Sequence, residues 1–95
     1  MKNSKIKQMV TVKKFSAVWC GPCRALAPVM NEIKGNFSKV KFEEYDIDEY
    51  SEITEQYGVR SVPTVIIEKD GIELQRFTGL SSKIAYVNAI NEAVK

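Results

Sequence analysis

The sequence contains no histidine and only two cysteines among its 95 residues. A structural zinc site takes four Cys or His ligands, so one chain could supply only half of one. Catalysis by a Ser-His-Asp triad or a Cys-His pair would lack its base. Attachment of a c-type haem needs a histidine after the second cysteine, where Arg24 stands. The cysteines are left with redox chemistry, a structural disulfide or inert burial.

Long hydrophobic runs and a strong charge are missing as well. No apolar run approaches the roughly 20 residues that span a bilayer, and Met1 to Gln8 is polar, unlike a signal peptide. We therefore predict no membrane association and a cytoplasmic location, the alternative being a leader already removed. The net charge of +2 gives no indication of nucleic-acid binding. The early lysines are interpreted mostly as solvated surface: Lys2, Lys5, Lys7, Lys13 and Lys14.

The composition is that of a folded globular protein, with 44% hydrophobic and 27% charged residues. Ninety-five residues are enough for one domain and too few for two. We find no internal repeat or linker. The sequence therefore predicts one domain over residues 1–95, and we expect a monomer.

Strand and helix patterns alternate along the chain. Val, Ile, Thr and aromatic residues predict four strands, at Met9 to Val18, Val40 to Ile47, Val62 to Glu68 and Ile72 to Thr78. Asp70-Gly71 predicts a hairpin between the last two strands, and Gly79 ends the fourth. The order β-α-β-α-β-β-α predicts an α/β fold with a mixed four-stranded sheet and helices on both faces.

Three helices are expected between and after these strands. The first follows the cysteines, with a kink at Pro28 and an end near Gly35; its apolar positions are Leu26, Val29, Met30, Ile33 and Phe37. The second covers Tyr50 to Tyr57 and stops at Gly58. Ser81 or Ser82 caps the third, whose expected inner face is Ile84, Val87, Ile90 and Val94.

Cys20 and Cys23 lie where the first strand ends and the first helix begins. Unpaired backbone N–H groups and the helix dipole stabilise a thiolate at such a place. We therefore predict Cys20 as the nucleophile and Cys23, one turn further and more buried, as the resolving cysteine. Gly21 would give a permissive turn, and Pro22 sets a first-turn angle. A purely structural disulfide is the weaker alternative, because so short a loop removes little chain entropy.

Several segments, in order, resemble the thioredoxin family. Trp19-Cys20-Gly21-Pro22-Cys23 is similar to its active-site signature, and the stretch from Tyr57 to Thr64 resembles its cis-proline segment. Pro28, Lys69-Asp70-Gly71 and Gly79 also match, so that the resemblance runs from about Val10 to the C-terminus. It implies a thioredoxin-like fold with Pro63 in cis, facing the sulfur atoms. It further implies that the Val62 backbone pairs with an extended substrate, on a surface edged by Trp19 and Gly79.

The activity implied by the resemblance is reduction of disulfides in substrate proteins, with electrons supplied by a flavoprotein thioredoxin reductase. The redox group would be the Cys20–Cys23 disulfide itself, with no metal and no other cofactor. Three alternatives remain open: a glutathione-coupled glutaredoxin-like protein, a non-enzymatic binding module with this fold, and a metal or iron–sulfur site shared by two chains.

Two departures from the family pattern stand out. Too few residues precede Met9 for the family's usual first strand and helix. Lys14 stands where the family carries a buried acid, and Glu44 stands where it carries a lysine. We predict an inverted ion pair beneath Cys23, in which Glu44 could accept the Cys23 proton. The alternative is that one or both side chains reach solvent and take no part in catalysis.

Overall fold

The computed structural model describes residues 8–95. The predictions made for Lys2, Lys5 and Lys7, and for the absence of a further strand and helix before Met9, concern residues that lie outside this range. Within residues 8–95, no helix is both long enough and apolar enough to cross a membrane.

The predicted order of strands and helices is confirmed. The strands are β1 (Val10–Ser16), β2 (Lys41–Asp46), β3 (Thr64–Lys69) and β4 (Ile72–Thr78). The helices are α1 (Gly21–Asn36), α2 (Ser51–Gln56) and α3 (Lys83–Val94). Strand boundaries agree with the sequence patterns to within two residues, because β-branched and aromatic runs bounded by turn residues mark them clearly.

The four strands form one mixed sheet in the order β2-β1-β3-β4. β1 pairs in parallel with β2 through the crossover helix α1, and antiparallel with β3. The hairpin between β3 and β4 turns at Asp70 and Gly71, with φ of 54° and 84°. Two positive φ angles in a two-residue loop suit the twist of the strands that it joins.

The central strand β1 is covered on both faces. Val10 and Val12 face a core formed with α1 and α3, in which Leu26, Ile33 and Ile90 are buried. On the opposite face, Phe15 lies 5.4 Å from Tyr45 and 5.9 Å from Tyr57, the residue after α2, between ring centroids. The alternation of side chains along a strand explains this division between the two faces.

Two details of α1 differ from the sequence patterns. Gly35 was expected to end the helix, but the helix continues to Asn36 and Gly35 does not adopt a left-handed conformation. A glycine inside a helix costs only about 1 kcal/mol relative to alanine, which tertiary packing can offset. Pro28 does lie inside the helix, and the kink at this residue stays a prediction.

The inner face of α3 was predicted only in part. Ser82 caps the helix by accepting a hydrogen bond from the Ala85 N–H at 3.1 Å, as one of the two predicted caps. Ile84 and Val94, expected inside, are 70% and 47% exposed. The residues buried instead include two alanines: Tyr86, Ala89, Ile90 and Ala93. Both sets of positions recur at helical spacing, so the large aliphatic residues alone did not show which face of α3 lies against the core.

Lys13 and Lys14 are buried, at 9% and 8% exposure, which contradicts their interpretation as solvated surface. The reason is their position on the central strand, where both faces of the sheet are covered. Lys13 Nζ lies 2.8 Å from Glu43 Oε1 and 3.3 Å from Glu68 Oε1, because these carboxylates are brought beside it by β2 and β3.

Two tyrosines complete this group, which we call the Lys13 cluster: Lys13, Glu43, Glu68, Tyr45 and Tyr57. The Tyr45 hydroxyl donates to Glu43 at 2.6 Å, and the Tyr57 hydroxyl donates to Glu68. Burial lowers the pKa of Lys13, but the hydrogen bonds to both carboxylates outweigh it and raise the pKa above its ordinary value. Burial raises the pKa of Glu43, but hydrogen bonds, chiefly from Lys13 and Tyr45, lower it to about 2.

Candidate active site

Cys20 and Cys23 are joined by a disulfide bond at the beginning of α1, with their Cα atoms 5.3 Å apart. Cys20 is the N-cap residue, and its Sγ accepts a hydrogen bond from the Cys23 N–H at 3.1 Å. The sulfur therefore occupies the place where an N-cap side chain normally satisfies a free backbone donor. Such a place favours negative charge, because unpaired N–H groups and the helix dipole both point to it.

The turn at Cys20 and Cys23 departs from two sequence expectations and agrees with a third. Cys23 was expected to be more buried than Cys20, but the exposures are 6% and 4%. In the disulfide form each sulfur covers the other, so burial does not separate their roles. Gly21 is the first helical residue and has no positive φ, so the turn does not require glycine. Pro22 lies in the first turn, where its missing N–H has no helical acceptor to lose.

The loop before the cysteines exposes apolar side chains. Val18 is 74% exposed and Trp19 is 62% exposed. The Trp19 ring is fixed by a hydrogen bond from its Nε1 to Asp48 Oδ2 at 2.9 Å. The Val18 carbonyl accepts a hydrogen bond from Arg24 Nη2 at 3.0 Å. Asp48 was missed in the sequence, since no local pattern connects the turn after β2 with a tryptophan 29 residues earlier.

The segment before β3 lies against the cysteines. Val62 packs on the small buried cluster of Ala17, Cys20 and Cys23. The Val62–Pro63 peptide bond is cis, as the resemblance predicted. The Gly79 N–H donates to the Pro63 carbonyl at 2.8 Å, and Gly79 has φ of 88°. The end of β4 is thereby tied to the proline segment.

An open cavity of about 600 Å³ lies beside Cys23, between α1 and the ends of β1 and β2. Lys14 and Glu44 both line it, and Lys14 Nζ lies 3.4 Å from Glu44 Oε2. The predicted ion pair is therefore present, but it is asymmetric. The Lys14 side chain is 9% exposed, whereas that of Glu44 is 64% exposed.

In residues 8–95, no group of three or more His, Cys, Asp or Glu side chains is arranged to hold a metal ion. The chemistry that the arrangement supports is that of the two sulfur atoms: a disulfide at a helix N-terminus, beside an exposed apolar surface and a proline segment.

Comparisons with known proteins agree with this geometry. The thioredoxin family model matches residues 2–92. The chain is 40% identical over 90 residues to a thioredoxin of Chlamydia caviae, covering 95% of this chain and 88% of that one. Among solved structures, a thioredoxin from Nicotiana alata is similar with a TM-score of 0.86 and 33% identity, covering 96% of this chain and 78% of that one. A thioredoxin from Fasciola hepatica gives 0.83 and 33%, with coverages of 90% and 81%.

Proposed function

We propose a reaction cycle for this chain. The chain belongs to the thioredoxin family and is therefore a thiol–disulfide oxidoreductase that reduces protein disulfides by dithiol exchange. The family implies two kinds of partner, substrate proteins with disulfide bonds and a thioredoxin reductase. In our proposal this reductase is a flavoprotein, and the Cys20–Cys23 disulfide is the only redox group that the chain needs.

The cycle begins with the reduced protein. The Cys20 thiolate attacks one sulfur of a substrate disulfide, forms a mixed disulfide and releases the other substrate sulfur as a thiolate. The Cys23 thiolate then attacks Cys20 Sγ, which breaks the mixed disulfide and releases the second substrate thiolate. The reductase returns two electrons and regenerates both thiols. The observation that carries these roles is the Cys20 sulfur at the N-cap of α1, where a thiolate is stabilised.

We propose that substrates dock on the surface around Trp19, Val62, Pro63 and Gly79. An extended substrate segment would pair with the Val62 backbone, as an added strand does. The exposed Trp19 ring supplies apolar contact area. The Gly79–Pro63 hydrogen bond fixes the proline segment to the end of β4. Lys14 and Glu44, beside Cys23, are the candidates to influence the proton that Cys23 loses.

We further propose that the protein acts as one domain and as a monomer in the cytoplasm, where thiols are kept reduced. A monomer leaves the Trp19 surface free for substrates. Analytical ultracentrifugation measures whether the protein is a monomer. A monomer–dimer equilibrium at micromolar concentration would contradict it.

The test of the cycle is substrate trapping. Cys23→Ser should accumulate mixed disulfides through Cys20, because the resolving sulfur is gone, and Cys20→Ser is the matched control that should accumulate none. Insulin reduction is then measured with thioredoxin reductase and, separately, with glutathione and its reductase. Insulin reduction with glutathione alone would show that glutathione, and not thioredoxin reductase, is the electron donor. Equal trapping by both variants would refute the roles assigned to Cys20 and Cys23.

A further inference from the structure

We propose that the Lys14 ammonium stabilises the thiolate of Cys23 through space and thereby prepares it for the resolving step. Lys14 is then a positioning residue, acting on substrate only through Cys23. The inference rests on the proposed function, since it concerns the second step of that cycle. It differs from proton removal by a carboxylate, because an ammonium has no free lone pair and cannot accept a proton.

The placement of Lys14 allows its charge to act on Cys23. It lies on β1 with its side chain on the same face as Val10 and Val12, toward α1, and lines the same cavity as Cys23. Its side chain is only 9% exposed. A charge withdrawn from water is screened less, so its effect on a neighbouring ionisable group is larger than that of a surface lysine.

The nearest carboxylate cancels little of the Lys14 charge. Glu44 is the ion-pair partner of Lys14 at 3.4 Å, yet its side chain is 64% exposed. Its own charge is therefore strongly screened by water. The remaining ionisable groups that line the cavity come from α1, from β2 and from the loop before α2: Arg24, Asp46, Glu49 and Tyr50. Asp46 is half-buried and the other three are exposed, so among residues 8–95 Lys14 is the one buried charge in this lining.

The chemistry balances without a protein base. In the mixed disulfide, the Cys23 thiol gives its proton to water in the open cavity, and the resulting thiolate is stabilised by Lys14. The thiolate attacks Cys20 Sγ, the Cys20–Cys23 bond forms, and the bond to the substrate sulfur breaks. The substrate leaves as a thiolate and takes a proton from solvent. Lys14 keeps its proton throughout and supplies only its charge.

The first experiment measures ionisation of Cys23 alone, in the Cys20→Ser background, from the ultraviolet absorbance of the thiolate as the pH is raised. Lys14→Met should move the midpoint upward by roughly one pH unit, and Lys14→Arg should restore it. Lys39→Met removes the same charge from the exposed loop before β2 and should leave the midpoint in place. A midpoint unchanged in Lys14→Met, or not restored by Lys14→Arg, overturns the proposal.

The second experiment uses the intact dithiol protein and a chromogenic aromatic disulfide, with the resolving step followed by release of the second aromatic thiolate. At a pH below the midpoint of Cys23 ionisation, Lys14→Met should slow the resolving step roughly tenfold. Glu44→Gln, an exposed substitution, should leave it equal or faster, since it removes only a counter-charge. A slower step in Glu44→Gln would assign proton removal to that carboxylate and overturn the proposal.

These outcomes are separable from failure of the proposed function. If the unsubstituted protein fails to reduce insulin with any reductase, the cycle is refuted. Ionisation of Cys23 in the Cys20→Ser background still reports whether Lys14 acts on it.

Discussion

Lys13→Met removes the buried cation of the Lys13 cluster while keeping a side chain of similar length. Glu68, with 5% side-chain exposure, keeps the hydrogen bond from Tyr57 and loses its counter-charge. Breaking a buried ion pair from one side costs about 3–5 kcal/mol. Glu43 is 22% exposed and keeps Tyr45 and Lys41 as partners. We therefore expect the lower end, about 3 kcal/mol of unfolding free energy.

Urea and thermal unfolding measure this loss. For a domain of this size, about 3 kcal/mol corresponds to a fall in Tm of more than about 10 °C. Lys41→Met is the matched control, because Lys41 Nζ lies 3.2 Å from the carboxylate of Glu43, to which Lys13 also binds, but the Lys41 side chain is 59% exposed. It should cost less than about 1 kcal/mol. Adding Glu68→Gln to Lys13→Met should recover part of the loss, since no buried charge is then left unpaired.

The loss should also depend on pH. Glu43 has a folded-state pKa of about 2 against an ordinary 4.5, so it contributes stability above about 4.5 that disappears as the pH falls toward 2. That difference corresponds to at most about 3 kcal/mol, and to roughly 2 after allowance for its partial hydration. Lys13 has a raised pKa, so its contribution is full below 10.5 and is lost as the pH rises through the folded-state value.

The gap between the unsubstituted protein and Lys13→Met should therefore be widest near neutral pH and narrow below about pH 4.5. A gap smaller than about 1 kcal/mol at about pH 7 would refute this reasoning. So would a gap of constant size between about pH 7 and about pH 3.

Other substitutions test the backbone and the docking surface. Gly35→Ala should raise the unfolding free energy by up to about 1 kcal/mol, because Gly35 is helical and an added Cβ would meet open space. Gly79→Ala should lower the unfolding free energy by about 1–2 kcal/mol, since φ at Gly79 is 88°. Urea unfolding compares the two, and effects of equal sign would be inconsistent with these conformations. Ser82→Ala should cost about 1 kcal/mol through loss of the α3 cap, and an unchanged urea midpoint would count against the cap. Asp48→Ala should free the Trp19 ring, change its fluorescence and lower kcat/KM for insulin reduction by about fivefold; unchanged kinetics would show that the hydrogen bond does not position the ring.

The sequence predicts most of the fold because its turns are marked strongly. Asp70-Gly71 and Gly79 adopt the positive φ angles that their residue types allow, and the β-branched runs between them become strands. The inner face of α3 was harder to predict, since Ala89 and Ala93 are buried where Ile84 is exposed. Both sets of positions recur at helical spacing, so the inner face depends on how α3 is rotated about its own axis against the sheet, and the packing of the whole core decides that rotation.

The candidate site, like the fold, could be predicted from the sequence only where it depends on local geometry. The CxxC spacing and its place before a helix predicted the position of the sulfur atoms, because both follow from local chain geometry. The link between Trp19 and Asp48, and the burial of Lys13 beside Glu43 and Glu68, join segments far apart in sequence. Charged residues within a strand look the same whether water or a carboxylate faces them, so their burial required the paired strands to be known.

The two consecutive lysines of β1 also bear on how that strand finds its partners. Lys13 points to the carboxylates of its cluster and Lys14 to the cavity beside Cys23. Sliding β1 by one residue would exchange its two faces, bringing the Lys13 ammonium toward the apolar core and Val12 toward Glu68. The correct pairing satisfies both ammonium groups. In the slipped pairing Lys14 takes the place of Lys13 beside Glu43 and Glu68, and the Lys13 ammonium is left among apolar side chains. The same pair of charges therefore penalises misaligned sheets during folding, and sets the alignment on which the position of Cys20 depends.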